Sequence, residues 1–87
     1  MSDDRVIERV QAVVARVAGP SRTPGDAGPD TLLGEGGYWL DSVDLLEVTI
    51  ACETEFGVIF DGERDLTMES LSTARSLAEV IRRKGVV

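Results

Sequence analysis

The sequence predicts an all-α domain of three helices and a shorter fourth. Apolar residues recur at spacings of three and four over three separate stretches. The one short apolar run between them, Val58-Ile59-Phe60, has no second strand to pair with. All three prolines, Pro20, Pro24 and Pro29, fall in one loop and leave the helical stretches uninterrupted. At 87 residues the chain is one small domain, and a hydrophobic content of 43% is too high for a disordered one.

The first helix is expected over about residues 3–17. Val6, Val10, Val13 and Val17, with Ile7 and Val14, form its apolar face. Asp3 and Asp4 in the first turn and Arg16 near the last suit the helix dipole. Gly19-Pro20 ends it. A long loop, 18–41, follows, and loops of that length in a compact domain are often functional. Leu32, Leu33, Tyr38, Trp39 and Leu40 can tie its second half to the core. Its glycines are not a phosphate-binding P-loop, because no Gly-Lys-Ser/Thr follows.

The second helix, 42–56, carries two apolar stripes. Leu45, Val48, Cys52 and Phe56, with Thr49, make the core-facing one. Val43, Leu46 and Ile50 make another, offset around the helix and accompanied by Asp44, Glu47 and Glu53. A buried helix would not carry those acids there, so the second stripe reads as a patch left for a partner. Cys52 falls in the core stripe and reads as an inert buried thiol. Gly57 ends the helix, and Val58-Ile59-Phe60 plugs back into the core. Residues 61–65 form a solvated turn without the ligand spacing of a calcium loop. A short third helix is expected over about 66–71. The last helix, about 73–84, is capped by Ser72 or Thr73 and buries Ala74, Leu77, Ala78 and Ile81. Arg82, Arg83 and Lys84 sit at its negative end, and Gly85 stops it.

Leu40-Asp41-Ser42-Val43-Asp44 is the stretch with chemical content. Asp41 is an N-cap, and Asp44 three residues on completes a capping box. Ser42 then lies in the first turn with its hydroxyl accessible, where the turn amides and the dipole favour a phosphate. Read alone, Asp-Ser is first of all a plain helix cap, as capping is what these residues commonly do. The net charge of −7 excludes nucleic acid as a partner. No Lys or Arg occurs between Arg22 and Arg64, an interval holding ten acids, so the negative field centres on Ser42 and suits basic partners. There is no histidine and only one cysteine, hence no nucleophile–base dyad and no internal disulfide. No apolar run is long enough to span a membrane, and no signal peptide opens the chain. A non-enzymatic, cytoplasmic domain is expected, with one hydroxyl that other proteins modify.

With these residues in place, the sequence resembles an acyl carrier protein over about Val6 to Ile81. Asp41-Ser42-Val43-Asp44 with Glu47 is similar to the family's Asp-Ser-Leu-Asp and following Glu. Glu55-Phe56-Gly57-Val58 matches the run that closes the family's second helix, and Leu71-Ser72-Thr73-Ala74 with Leu77-Ala78 matches the start of its last. Tyr38-Trp39-Leu40 replaces the smaller residues common before the motif. The resemblance implies a four-helix bundle of acyl-carrier type, with a long first loop and a short third helix. It implies that a phosphopantetheinyl transferase uses Mg2+ to move 4'-phosphopantetheine from coenzyme A onto Ser42, and that acyl groups ride on that arm as thioesters. Asp41, Val43, Asp44, Leu46, Glu47, Ile50 and Glu53 would then meet partners: the transferase, acyl-loading enzymes, ketosynthases and other acyl-processing enzymes of fatty acid or polyketide assembly. A monomer is expected. The alternatives are an aminoacyl or peptidyl carrier, and a helical interaction module that is never modified.

Overall fold

In the computed structural model, which describes residues 2–85 and the side chains of residues 5–85, three helices surround one core. Helix α1 spans Ser2–Ala18, α2 Ser42–Phe56 and α3 Ala74–Arg83. The side chains of Asp3 and Asp4, expected to favour the start of α1, lie outside the described residues. Helix α1 is the hub and packs against both other helices. Its valine face, Val6, Val10, Val13 and Val14, is buried together with Ile7. Each such side chain contributes roughly 1.5–3 kcal/mol of burial.

Local chemistry sets the helix ends. The Asp41 carboxylate accepts from the Asp44 N–H at 2.8 Å, and the Asp44 carboxylate accepts from the Asp41 N–H at 3.2 Å. At the other end of α2, Gly57 adopts φ 67, and its N–H donates to the Glu53 carbonyl at 2.9 Å. That left-handed cap favours glycine. Thr73 caps α3 and shares a second capping box with Ser76. Helix α3 buries Ala74, Leu77, Ala78 and Ile81, and Val80 as well. Between α1 and α2, Arg9 places its guanidinium carbon 4.4 Å from the Phe56 ring centroid and bonds the Glu55 carboxylate at 3.1 Å.

The expected short helix at 66–71 is not formed. Leu71 N–H reaches the Thr67 carbonyl at 3.0 Å, which makes one turn and no regular helix. Thr67 and Ser70 exchange the same reciprocal bonds that cap α3, at 2.9 and 3.1 Å, so a helix start is present. It is cut short because the next residues are drawn away: the Ser72 carbonyl accepts from the Leu33 N–H, and Thr73 is extended and bridges to Leu32. The described residues therefore form an all-helical domain of three helices and no strand.

The long first loop is more ordered than its composition suggests. Leu33 N–H donates to the Ser72 carbonyl at 2.8 Å, and Arg75 N–H donates to the Pro29 carbonyl at 3.0 Å. Leu32 and Thr73 form an isolated antiparallel bridge. The loop is thus stitched to the start of α3. Leu33, Tyr38 and Leu40 are buried as expected, but Leu32 and Trp39 are not: 47% and 60% of their surface is exposed. In the later connection Val58 and Phe60 are buried, whereas Ile59 points outward. Among the described residues no helix is long and apolar enough to cross a membrane.

Candidate functional site

Ser42 is exposed at the first position of α2, directly after the Asp41 cap. Its approach is fixed by a tight turn. Gly37 N–H and Trp39 N–H both donate to the Gly34 carbonyl, at 3.1 and 2.9 Å. Tyr38 N–H donates to the Leu32 carbonyl and Leu40 N–H to the Leu33 carbonyl, each at 2.9 Å. Buried Tyr38 and Leu40 anchor the turn, and Trp39 between them has φ 60. A left-handed backbone at a bulky residue is uncommon and costs roughly 1–2 kcal/mol. The strain turns the indole outward, three residues before the serine. Burial pushes the Tyr38 phenol above its ordinary range.

Helix α2 divides its two stripes as their spacing suggests. Val48, Thr49, Cys52 and Phe56 are buried, and Leu45 is partly so. Val43, Leu46 and Ile50 are 66%, 56% and 53% exposed, an apolar row one turn apart on the outer face. Burial, and then the charge of Glu55, push the Cys52 thiol up to about 12, so it stays protonated near neutral pH.

Beside Ser42 lies an apolar cleft of about 210 Å3, lined by Ser42, Leu45, Leu46, Thr49, Leu66 and Leu71. A larger one of about 370 Å3 shares Leu45, Leu66 and Leu71 and extends to Leu32, Glu35 and Met68. The turn at 67–71, in place of a helix, supplies one wall of both. Met68 is 92% exposed at the rim of the larger cleft.

The acids around the serine have unequal roles. Asp41 and Glu47 are exposed. Glu53 turns inward, and its carboxylate accepts from the Phe60 N–H at 2.8 Å, fixing the connection after α2. Asp44 is engaged twice, in the capping box and in an ion pair with Arg22 at 2.8 Å. That hydrogen bond and the one from the Asp41 backbone hold its carboxyl below the usual range. Three of the ten acids in the Lys- and Arg-free interval are paired with arginines from outside it: Asp30 with Arg75, Asp44 with Arg22 and Glu55 with Arg9. Sequence order conceals these pairs, because their members lie 22 to 46 residues apart.

No family model matches the chain, and neither a curated protein nor a solved structure is found similar to it.

Proposed function

We propose that the chain is an acyl carrier protein, modified on Ser42 by 4'-phosphopantetheine and serving enzymes of fatty acid or polyketide-type assembly. The observation that carries this reading is an exposed serine hydroxyl at the first position of a capped helix, opening onto an apolar cleft. When bound, the group supplies a long arm ending in a thiol that holds the cargo as a thioester. The chain's own residues fit it. Asp41 and Asp44 hold the helix start, and the first-turn amides with the α2 dipole favour a phosphodiester there. Leu45, Leu46, Leu66 and Leu71 offer an apolar surface beside it. Val43, Leu46 and Ile50, with Glu47, offer partners an apolar row bordered by negative charge; Asp41 and the paired Asp44 flank its start, whereas Glu53 is turned inward to the Phe60 amide. On this reading the architecture is the four-helix bundle of acyl-carrier type, with the 67–71 turn standing where the short third helix would be. The protein is then a cytoplasmic monomer and not itself an enzyme.

A second reading is favoured by the same outer row of α2. Val43, Leu46 and Ile50 would serve an interaction module that is never modified equally well. One measurement separates the two: intact mass after incubation with coenzyme A, Mg2+ and a broad-range phosphopantetheinyl transferase. A carrier gains one phosphopantetheine, and Ser42→Ala, still capped by Asp41, stays folded and gains none. A folded wild type that gains no mass leaves the interaction module. The load found on protein isolated from cells, acyl or aminoacyl, separates an acyl carrier from a peptidyl one.

A further inference from the structure

Arg22 is a basic residue that enters the acidic surroundings of Ser42. Its Nε donates to the carbonyl of Ala18, the last residue of α1, at 3.1 Å. Its Nη1 donates to Asp44 Oδ2 at 2.8 Å. The same Oδ2 accepts the Asp41 N–H that completes the α2 cap. One guanidinium therefore ties the end of α1 to the start of α2, two residues from Ser42. Asp41 and Glu47 also act on its charge. The side chain of Asp44 is only 16% exposed under this pair, whereas Arg22 keeps 39%.

We propose that Arg22 is a built-in stand-in for a partner's cation: it occupies Asp44, so a basic partner docks on Glu47 and reaches Asp44 only by displacing Arg22. The proposal rests on the carrier reading for the identity of the partner, but the exchange itself is a property of this chain alone. The internal pair neutralises the Asp44 charge and leaves its side chain only 16% exposed, so a partner's cation gains its full attraction there only once Arg22 has moved off. Docking at Asp44 is therefore weakened by the strength of the internal pair, and Glu47 bears the larger share of the electrostatic attraction. The exchange also has a structural effect. A partner that draws Arg22 away frees the loop at residue 22 from the start of α2, while the reciprocal bonds between Asp41 and Asp44 remain. The serine helix stays capped while the part of the loop around residue 22 comes away from it, the rest of the loop being held by its bonds to the start of α3.

The test has two arms. In the first, modification by a broad-range transferase is followed at low salt with coenzyme A and Mg2+. Arg22→Ala should lower KM for the carrier about threefold or more and leave kcat within about twofold, because a charge at the rim acts on encounter. Adding Asp44→Asn should cancel that gain, and Arg22→Lys should stay near wild type. Arg83→Ala, which removes the same charge at the far end of α3, should leave KM within about twofold. A KM that does not fall in Arg22→Ala, or an Asp44→Asn single variant as damaging as Glu47→Gln, overturns the proposal. The second arm needs no transferase. A hexa-arginine peptide is titrated into the protein while the Asp44 carboxylate and Arg22 Nε–H are followed by NMR. Displacement of Arg22 by the peptide, with tighter binding in Arg22→Ala that Asp44→Asn removes, supports the exchange. Binding unchanged by Arg22→Ala overturns it. If the wild type gains no mass in the first arm, the carrier reading fails and the peptide titration alone decides the exchange.

Discussion

The carbonyl of Leu32 lies directly against the α-carbon of Gly37, so that a Cβ built there would overlap it. The same carbonyl accepts the Tyr38 N–H at 2.9 Å. The close approach draws the chain into the turn that leads to Ser42, and glycine is what permits it. The obstacle is backbone, which cannot swing aside as a side chain can. Gly37→Ala should therefore cost at least about 2 kcal/mol in urea-induced unfolding, toward the upper range for overpacking. Gly25→Ala, where a Cβ meets nothing within 4 Å, is the control and should stay within about 0.5 kcal/mol. Equal losses in the two variants would refute the account of the turn.

Trp39 makes a contrasting case. Its exposed indole leaves little packing to lose, so Trp39→Ala should change stability by no more than about 0.5 kcal/mol. Trp39→Gly relieves a left-handed backbone worth roughly 1–2 kcal/mol against an entropy cost of roughly 0.5–1 kcal/mol, for a net gain between zero and about 1.5 kcal/mol. Its fluorescence should be that of a solvated indole and readily quenched by iodide. A loss of several kcal/mol in Trp39→Ala, the range for buried aromatics, would mean that the side chain is packed after all.

Three carboxyls contribute to the acid sensitivity of the fold. Hydrogen bonds from Arg75, Arg22 and Lys84 hold Asp30, Asp44 and Asp65 below their ordinary 3.8. In the unfolded chain these groups take up protons near 3.8, and in the folded protein only at lower pH. Their contribution is thus fully present above the unfolded value and is lost as the pH falls through the folded ones. Thermal midpoints should hold down to about pH 5 and decline below about pH 4. Because these pairs are solvent-screened, each effect is small, and added salt should shrink it. Asp65→Asn should flatten the acid limb, and an unaltered limb would remove the Lys84 pair from the account.

Cys52 supplies a probe of opening. A rise from 9.0 to about 12 lowers the thiolate fraction near pH 8 about a thousandfold, and full burial blocks reagents as well. Labelling by a disulfide reagent should therefore be slow in the native protein and rise with denaturant in step with global unfolding. Fast labelling of a protein whose circular dichroism is native would show that α2 opens locally.

Much of the fold is legible because its determinants are local. The valine period of α1, the Asp41 and Thr73 caps and the αL position at Gly57 each act within four residues. The outward Val43-Leu46-Ile50 row follows from the same helical period. What escaped the sequence depends on competition or on distance. The stretch 66–71 has a helix start in Thr67 and Ser70, and only the pairing of Ser72 and Thr73 with the distant Leu33 and Leu32 cuts it to one turn. Trp39 has the composition of a core anchor, and only its backbone angle turns it out. Asp44 reads as a member of the cap and Glu53 as a free charge beside an apolar stripe, yet Arg22 also holds the first and the Phe60 amide the second. A period that locates a face cannot reveal which distant group lies against it.

The stitching of the first loop to α3 has a bearing on how the protein is made. The partners of Pro29, Leu32 and Leu33 are Arg75, Thr73 and Ser72, some forty residues later in the chain. A nascent chain emerging from the ribosome as far as Gly57 already contains the whole α2 pattern and its serine. It still lacks the backbone groups that hold the loop. Such long-range closures come late in folding, so the surroundings of Ser42 reach their final form only after residues 72–75 have been synthesised. If Ser42 is modified as proposed, an enzyme that recognises the settled loop would pass over nascent chains that do not yet reach Arg75.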